Sequence, residues 1–148
     1  MSSVFVALRL GIGLLFVVSG LGKIISPVQN FAYVIESYDL LPRFWIHSVA
    51  YILPWIEFFS GAFVLLGLWL NRSLWAVVWL FLTFQFVVGQ ALIRHLPIDK
   101  CGCFGEWISL PLPVMFFFDT FMLLLTLFLI WKIHYTAQWS LDHFFKNR

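Results

Sequence analysis

The sequence predicts an all-α membrane protein: one domain, built as an antiparallel bundle of four transmembrane helices with a short interfacial helix between the first and second. Three observations carry that expectation. Hydrophobic residues fill 62% of the 148 positions and charged residues only 11%. A soluble domain of this size could not cover its surface with so few charges, so lipid is the solvent for much of the chain. Four apolar stretches are each about 20 residues long, enough to cross roughly 30 Å of hydrocarbon as helices. Their connections are short, which sets neighbours antiparallel and returns both termini to one side. The formal net charge of +2, spread over scattered basic residues, gives no case for a nucleic-acid partner. The 18 Phe and 8 Trp suit lipid-facing surfaces and interfacial belts.

The first helix is expected over 4–22, interrupted only by Arg9. No basic n-region or small-residue cleavage site precedes it, so it reads as a retained helix rather than a signal peptide. Ala7 and Gly11 have small-xxx-small spacing and are expected to let another helix come close. Ser26-Pro27-Val28-Gln29 reads as a capping box with proline at the first helical position. Phe31, Val34, Ile35 and Tyr38 then recur at helical spacing. A helix over 27–38 is too short to cross a bilayer and is expected to lie at its interface, ended by Leu41-Pro42. The second spanning helix, 48–70, holds only Glu57, and Asn71-Arg72 reads as a tight polar turn. The third, 73–93, is uncharged, and the fourth, 113–134, holds only Asp119. A polar-aromatic tail, 135–148, follows.

Basic residues nearly balance across the membrane. Lys23, Arg43, Arg94 and Lys100 fall on one side; Arg72, Lys132, Lys146 and Arg148 share the other with the termini. Arg9 tips this near tie toward cytoplasmic termini. The only two cysteines stand in Cys101-Gly102-Cys103-Phe104-Gly105, between the third and fourth helices. Because disulfides persist outside the cytosol, that loop is expected on the extracytoplasmic side of the cell (inner) membrane.

Such a pair on a glycine-rich loop has three uses: dithiol/disulfide exchange, soft-metal capture, or a structural staple. A disulfide across one residue closes a small ring, and strained disulfides tend to be oxidising and labile. Arg94, His95 and Lys100 favour a thiolate, while Asp99 and Glu106 oppose it. No metal is expected, because a closed zinc site wants four ligands and only His95 is nearby as a third.

An ionisable side chain within a membrane helix costs at least about 2.5–3.5 kcal/mol on insertion scales, so a partner or a purpose is expected. Measured from the cysteine side at the helical rise, Glu57 lies about 6–13 Å down, Asp119 about 9 Å and Arg9 roughly 15–20 Å. The long stem of Arg9 suits a structural ion pair between Arg9 and Glu57; the other reading is a proton-handling or quinone-headgroup site. Glu57, Gln85, Gln90 and Asp119, with Ser60, would form a polar layer beneath the cysteines where a quinone carbonyl is hydrogen-bonded. The same residues also suit ordinary interhelical hydrogen bonding. His47, His95 and His134 fall near interfaces, where solvation is the usual explanation.

Arg9-Leu10-Gly11, Ser19-Gly20-Leu21-Gly22-Lys23 and Tyr38-Asp39-Leu40-Leu41-Pro42 together resemble the opening of the DoxX-like membrane proteins. Leu53-Pro54-Trp55-Ile56-Glu57, Gly61 and Leu65-Leu66-Gly67 resemble their second helix. Asp99-Lys100-Cys101-Gly102-Cys103-Phe104-Gly105 resembles the MauE-type branch. The resemblance implies a four-helix membrane protein tied to thiol redox chemistry and linked to the quinone pool. That branch is associated with maturation of methylamine dehydrogenase, whose small subunit is rich in disulfides. Relatives often carry a basic residue just before the acidic position of the last helix; here Phe118 precedes Asp119, so any charge pairing made there must be absent or supplied otherwise.

The leading expectation is a membrane thiol–disulfide redox component in which Cys101 and Cys103 cycle between dithiol and disulfide. Its partners would be a thioredoxin-like or disulfide-rich extracytoplasmic protein and, as electron acceptor, a quinone. The chain has no second redox pair to relay electrons. The alternative is an accessory or scaffold subunit of a larger membrane complex, with the disulfide stapling the loop. A proton-coupled transporter built around Glu57 would leave the cysteine loop unexplained.

Overall fold

The computed structural model describes residues 2–98 and 111–136; Cys101, Cys103 and the tail after Thr136 lie outside the described residues. The order is α1 (Ser2–Ile25), α2 (Val28–Ser37), α3 (Arg43–Leu66), α4 (Leu70–Ile93), α5 (Leu112–Trp131) and α6 (Ile133–Thr136). Four of these, α1, α3, α4 and α5, are long and apolar enough to cross a membrane, and the described residues contain no strand. The molecule is a multi-pass, all-α four-helix membrane bundle, as composition and segment length predict.

Local chemistry moves several helix ends away from the expected ones. Pro27 is the N-cap of α2 rather than its first residue, and no side chain caps that end, so the Ser26 capping box does not form. Pro42 precedes α3, which starts at Arg43, five residues earlier than expected. The turn into α4 lies at 67–69, not at Asn71-Arg72. Gly67 takes a left-handed φ of 67°, and the Leu68 amide reaches back to the Phe63 carbonyl at 3.0 Å, a Schellman-type close. Trp69 is also left-handed, and the Ser73 hydroxyl donates to the Leu68 carbonyl at 2.8 Å. Asn71 and Arg72 therefore belong to the first turn of α4.

The helices pack as two close antiparallel pairs, α1 on α3 and α4 on α5. A glycine seam joins α1 to α3. A Cβ added at Gly61 would stand 2.7 Å from the Gly13 carbonyl oxygen and from the Val17 nitrogen. One added at Gly20 would meet the Phe58 nitrogen at 2.7 Å and the Pro54 carbonyl at 2.8 Å. The close approach expected at Ala7 and Gly11 is absent: both are exposed, and a Cβ at Gly11 meets nothing within 4 Å. Small-xxx-small spacing marks a helix face without saying which partner it meets. The face that packs here carries Gly13 and Gly20, two turns apart.

Between the pairs, Phe16 of α1 meets Phe81 of α4 edge-on at 4.9 Å, amid Leu74, Val77, Val88, Met115 and Leu129. A second apolar cluster sets Phe31 and Ala32 of α2 against Ile46 and Ala50 of α3. The first turns of α3 thus hold α2 across the end of the bundle where α1 stops.

Gly61→Ala is expected to cost about 1–3 kcal/mol through overpacking, whereas Gly11→Ala should stay within about 0.5 kcal/mol of the parent. Unfolding in detergent micelles compares the two; equal stability would rule out the seam.

Candidate functional site

Lys23 lies in the last turn of α1 and is 3% exposed. A helical Cα–Cβ bond tilts toward the helix N-terminus, so the stem of Lys23 runs back into the bundle rather than out to the rim. Its Nζ donates to both carboxylate oxygens of Glu57 on α3, at 2.7 and 2.8 Å, and Glu57 is fully buried. Ser19, one turn before Lys23 on the same face, donates its hydroxyl to Glu57 Oε2 at 2.9 Å. Two rings flank the ammonium, Phe31 of α2 at 4.8 Å and Phe84 of α4 at 5.1 Å from their centroids. Elements from four helices therefore converge on one cation, and cation–π contact adds to the ion pair in a water-poor setting.

The fifth helix brings a second carboxyl to the same place. Asp119 is 0% exposed, and neither of its oxygens has a hydrogen-bond partner among the described residues. It lies within electrostatic range of the Lys23 ammonium and of Tyr38, the C-cap of α2. Burial, and then the Asp119 carboxylate, push the Tyr38 hydroxyl up to about 12, so this phenol stays protonated and neutral through the physiological range.

From Tyr38 a polar ladder leads outward. Gln90 donates its side-chain amide to the Tyr38 carbonyl at 3.2 Å. Arg94 donates to the Gln90 side-chain oxygen at 3.2 Å, to the Asp39 carbonyl at 3.3 Å and to Asp39 Oδ2 at 3.2 Å. Asp39 and His95 both take positive φ, 48° and 49°, where non-glycine residues are uncommon. This ladder ties the α2–α3 turn to the end of α4.

A cavity of about 310 Å³ lies between α2, α3 and α4. Phe31, Val34, Tyr38, Leu53, Phe84 and Val87 line it, with exposed Phe86 at its edge. It is almost wholly apolar, it faces outward where lipid would be, and it shares Phe31 and Phe84 with the flanks of the Lys23 ammonium.

The expected site is partly rearranged. The Arg9–Glu57 ion pair is not formed: Glu57 takes its cation from Lys23, fourteen positions further along α1 and about 21 Å away by helical rise. Arg9, also buried, donates Nη1 to the Thr136 carbonyl of α6 at 3.0 Å. The physical reason is that α1 continues to Ile25 and runs antiparallel to α3, so the end of α1, not its beginning, meets Glu57. Gln85 faces α5, donating to the Thr120 hydroxyl at 2.7 Å, and Gln90 joins the Tyr38–Arg94 ladder. The four polar residues thus form no single layer; Glu57 and Asp119 come together through Lys23. Sequence reasoning missed Lys23, Ser19 and Tyr38 as site residues. One signal was present: Ser19 and Lys23 stand one turn apart, and apolar Ile24-Ile25 carries the helix past the lysine.

The family model described as "Methylamine utilisation protein MauE" matches residues 1–132. No curated protein and no solved structure matches the chain.

Lys23→Met should destabilise the bundle by about 3–5 kcal/mol, because it leaves a buried carboxylate without its cation. Adding Glu57→Leu should recover most of that loss. A double-mutant cycle by detergent unfolding checks this; purely additive effects would mean the two side chains do not interact.

Proposed function

The chain belongs to the MauE family, and from that premise we propose that it is a membrane accessory of methylamine utilisation acting by thiol–disulfide exchange through Cys101 and Cys103. The observation that carries this reading is where the charged cluster lies. Asp119 is seven residues into α5, about 10 Å below Leu112 by helical rise. The Gln90–Arg94 ladder stands at the end of α4. The cluster therefore occupies the end of the bundle that the α4–α5 connection joins, and that connection carries the only two thiols in the chain. Closing a disulfide releases two electrons and two protons, so a nearby group able to hold or pass protons suits such a loop.

A quinone, when bound, would supply the acceptor for both. The cavity between α2, α3 and α4 supports this choice: it is apolar, outward-facing, and backed by Tyr38 and the rings beside Lys23. Of the residues first expected to hold the headgroup, Glu57 is already occupied by Lys23 and Ser19, and Gln85 turns to Thr120. Tyr38 and its neighbour Gln90 replace them in this reading.

The buried ion pair also bears on orientation. With Lys23 drawn into the bundle rather than standing in a loop, the sequence leaves Arg43, Arg94 and Lys100 on the cysteine-loop side against Arg72, Lys132, Lys146 and Arg148 on the side of the termini. The balance then favours cytoplasmic termini and an extracytoplasmic cysteine loop, where a thioredoxin-like or disulfide-rich envelope protein would be the exchange partner. A second reading, a scaffold subunit whose disulfide only staples the loop, draws on the closed Lys23–Glu57–Ser19 arrangement, which suffices to order a bundle without any chemistry.

Cys103→Ser is expected to accumulate a mixed disulfide with an envelope protein, visible on non-reducing gels, and Cys101→Ser with Cys103→Ser should abolish partner maturation. Full maturation with both serines would favour the scaffold. The reduction potential of the pair separates the two independently: a structural staple lies below about −300 mV, and a working couple lies above it.

A further inference from the structure

We propose that Asp119 is a proton-exchanging carboxyl of the bundle interior, taking up and releasing a proton while Lys23 remains bound to Glu57. The inference deepens the thiol-redox reading and rests on it only for the source and fate of the proton; the geometry stands without it. Asp119 has no exposed surface, and both of its oxygens lack a hydrogen-bond donor among the described residues. Its neighbour Glu57 is the opposite case, accepting three short hydrogen bonds of 2.7–2.9 Å from Lys23 Nζ and Ser19 Oγ.

Among the described residues, the groups around Asp119 leave the Lys23 ammonium as its one nearby cation. From α1 comes Lys23, and beyond it from α3 comes Glu57. From the end of α2 comes Tyr38. Toward the cluster α4 presents the Phe84 ring; just past its end, among the described residues, Arg94 is held outward by Asp39 and Gln90, and His95 is exposed. The α5 helix itself carries no other titratable residue. One ammonium therefore stands among two carboxyl groups, and it is committed to one of them. An ionised carboxylate buried without donors or its own cation is expensive at membrane depth. A carboxyl that holds a proton and gives it up only when charge is compensated nearby meets that constraint.

Tyr38 is within electrostatic range of Asp119, and its backbone carbonyl accepts from Gln90, from which the ladder reaches Arg94 and Asp39, 43% and 81% exposed in their side chains. Within the proposed chemistry, dithiol oxidation releases two protons and acceptor reduction consumes two; Asp119 holds one in transit and is itself neither oxidised nor reduced.

The test is infrared difference spectroscopy of the full chain in phosphatidylcholine vesicles during steps in pH. The parent should show a pH-responsive protonated-carboxyl band that Asp119→Asn removes entirely and Asp119→Glu restores at a shifted frequency, while Glu57→Gln, which releases the Lys23 ammonium, should move its pH response toward lower pH. The band should persist in the Cys101→Ser, Cys103→Ser background. No such band in the parent, a band insensitive to pH, or a band unchanged in Asp119→Asn overturns the inference. Its loss leaves the thiol reading standing, since that reading is judged by trapping and maturation. A surviving band in a chain that matures its partner without cysteines overturns the thiol reading and retains Asp119.

Discussion

The ion pair between Lys23 and Glu57 sets conditions that the surrounding helices must meet. An ammonium and a carboxylate that leave water each lose several kcal/mol of solvation, and only close, well-directed contact offsets that loss. Here the offset comes from two charge-assisted hydrogen bonds, a hydroxyl from Ser19, and two aromatic faces. The donors come from α1 and the rings from α2 and α4. Moving α2 away would remove the Phe31 face, and moving α4 would remove Phe84. Sliding α1 along α3 would pull the lysine off its carboxylate. One buried cation thus fixes the relative height of α1 and α3 and the positions of the two elements that enclose it.

The glycine seam makes that contact reachable. With no side chains at Gly13, Gly20 and Gly61, the α1 and α3 backbones approach to near van der Waals distance, which brings Ser19 and Lys23 within hydrogen-bonding range of Glu57. The same closeness leaves little space for water beside the pair. Asp119 reaches this region from α5, which has no comparable glycine contact with α1, and its carboxyl has no donor among the described residues. The contrast between a saturated carboxylate and an unsatisfied one, held near the same ammonium, is the chemical asymmetry of the site. Tyr38 and the Gln90–Arg94–Asp39 ladder extend it to the end of the bundle that the α4–α5 connection joins. Family membership places the chain among methylamine utilisation proteins, and that asymmetry is the feature on which the proposed thiol exchange would draw.

Much of the architecture was legible in the sequence because hydrocarbon is a demanding solvent. Four long apolar runs interrupted by single charges leave few alternatives, and Pro27 and Pro42 mark helix boundaries for plain stereochemical reasons, whereas the turn made by Gly67 was assigned instead to Asn71-Arg72. The charged residues themselves, Arg9, Glu57 and Asp119, were visible as anomalies. Their pairing was not. A ruler of 1.5 Å per residue gives depth along a helix but not azimuth, and the partner of Glu57 was hidden in a lysine placed outside the helix. Counting Lys23 among the loop residues removed it from consideration, and the reach of the Arg9 side chain then made a wrong pair attractive. The Ala7–Gly11 spacing misled in the same way, because a pattern within one helix cannot say which face another helix will choose. Gln85 and Gln90 share a helix yet turn to different neighbours, Thr120 and Tyr38, for the same reason.

The two tight helix pairs have a mechanical corollary. Backbone-to-backbone contact makes α1 with α3 a stiff plate, while α4 packs on α5 through side chains such as Gln85 on Thr120 and Phe116 on Gly89, and side chains fill the joint between the pairs. The cavity beside Phe84 and Leu53 lies at that joint, under α2. A guest molecule arriving sideways from the lipid could widen it by wedging the pairs slightly apart. No glycine contact would have to separate, so admission and departure would depend on rotation of a few aromatic rings rather than on remodelling the scaffold.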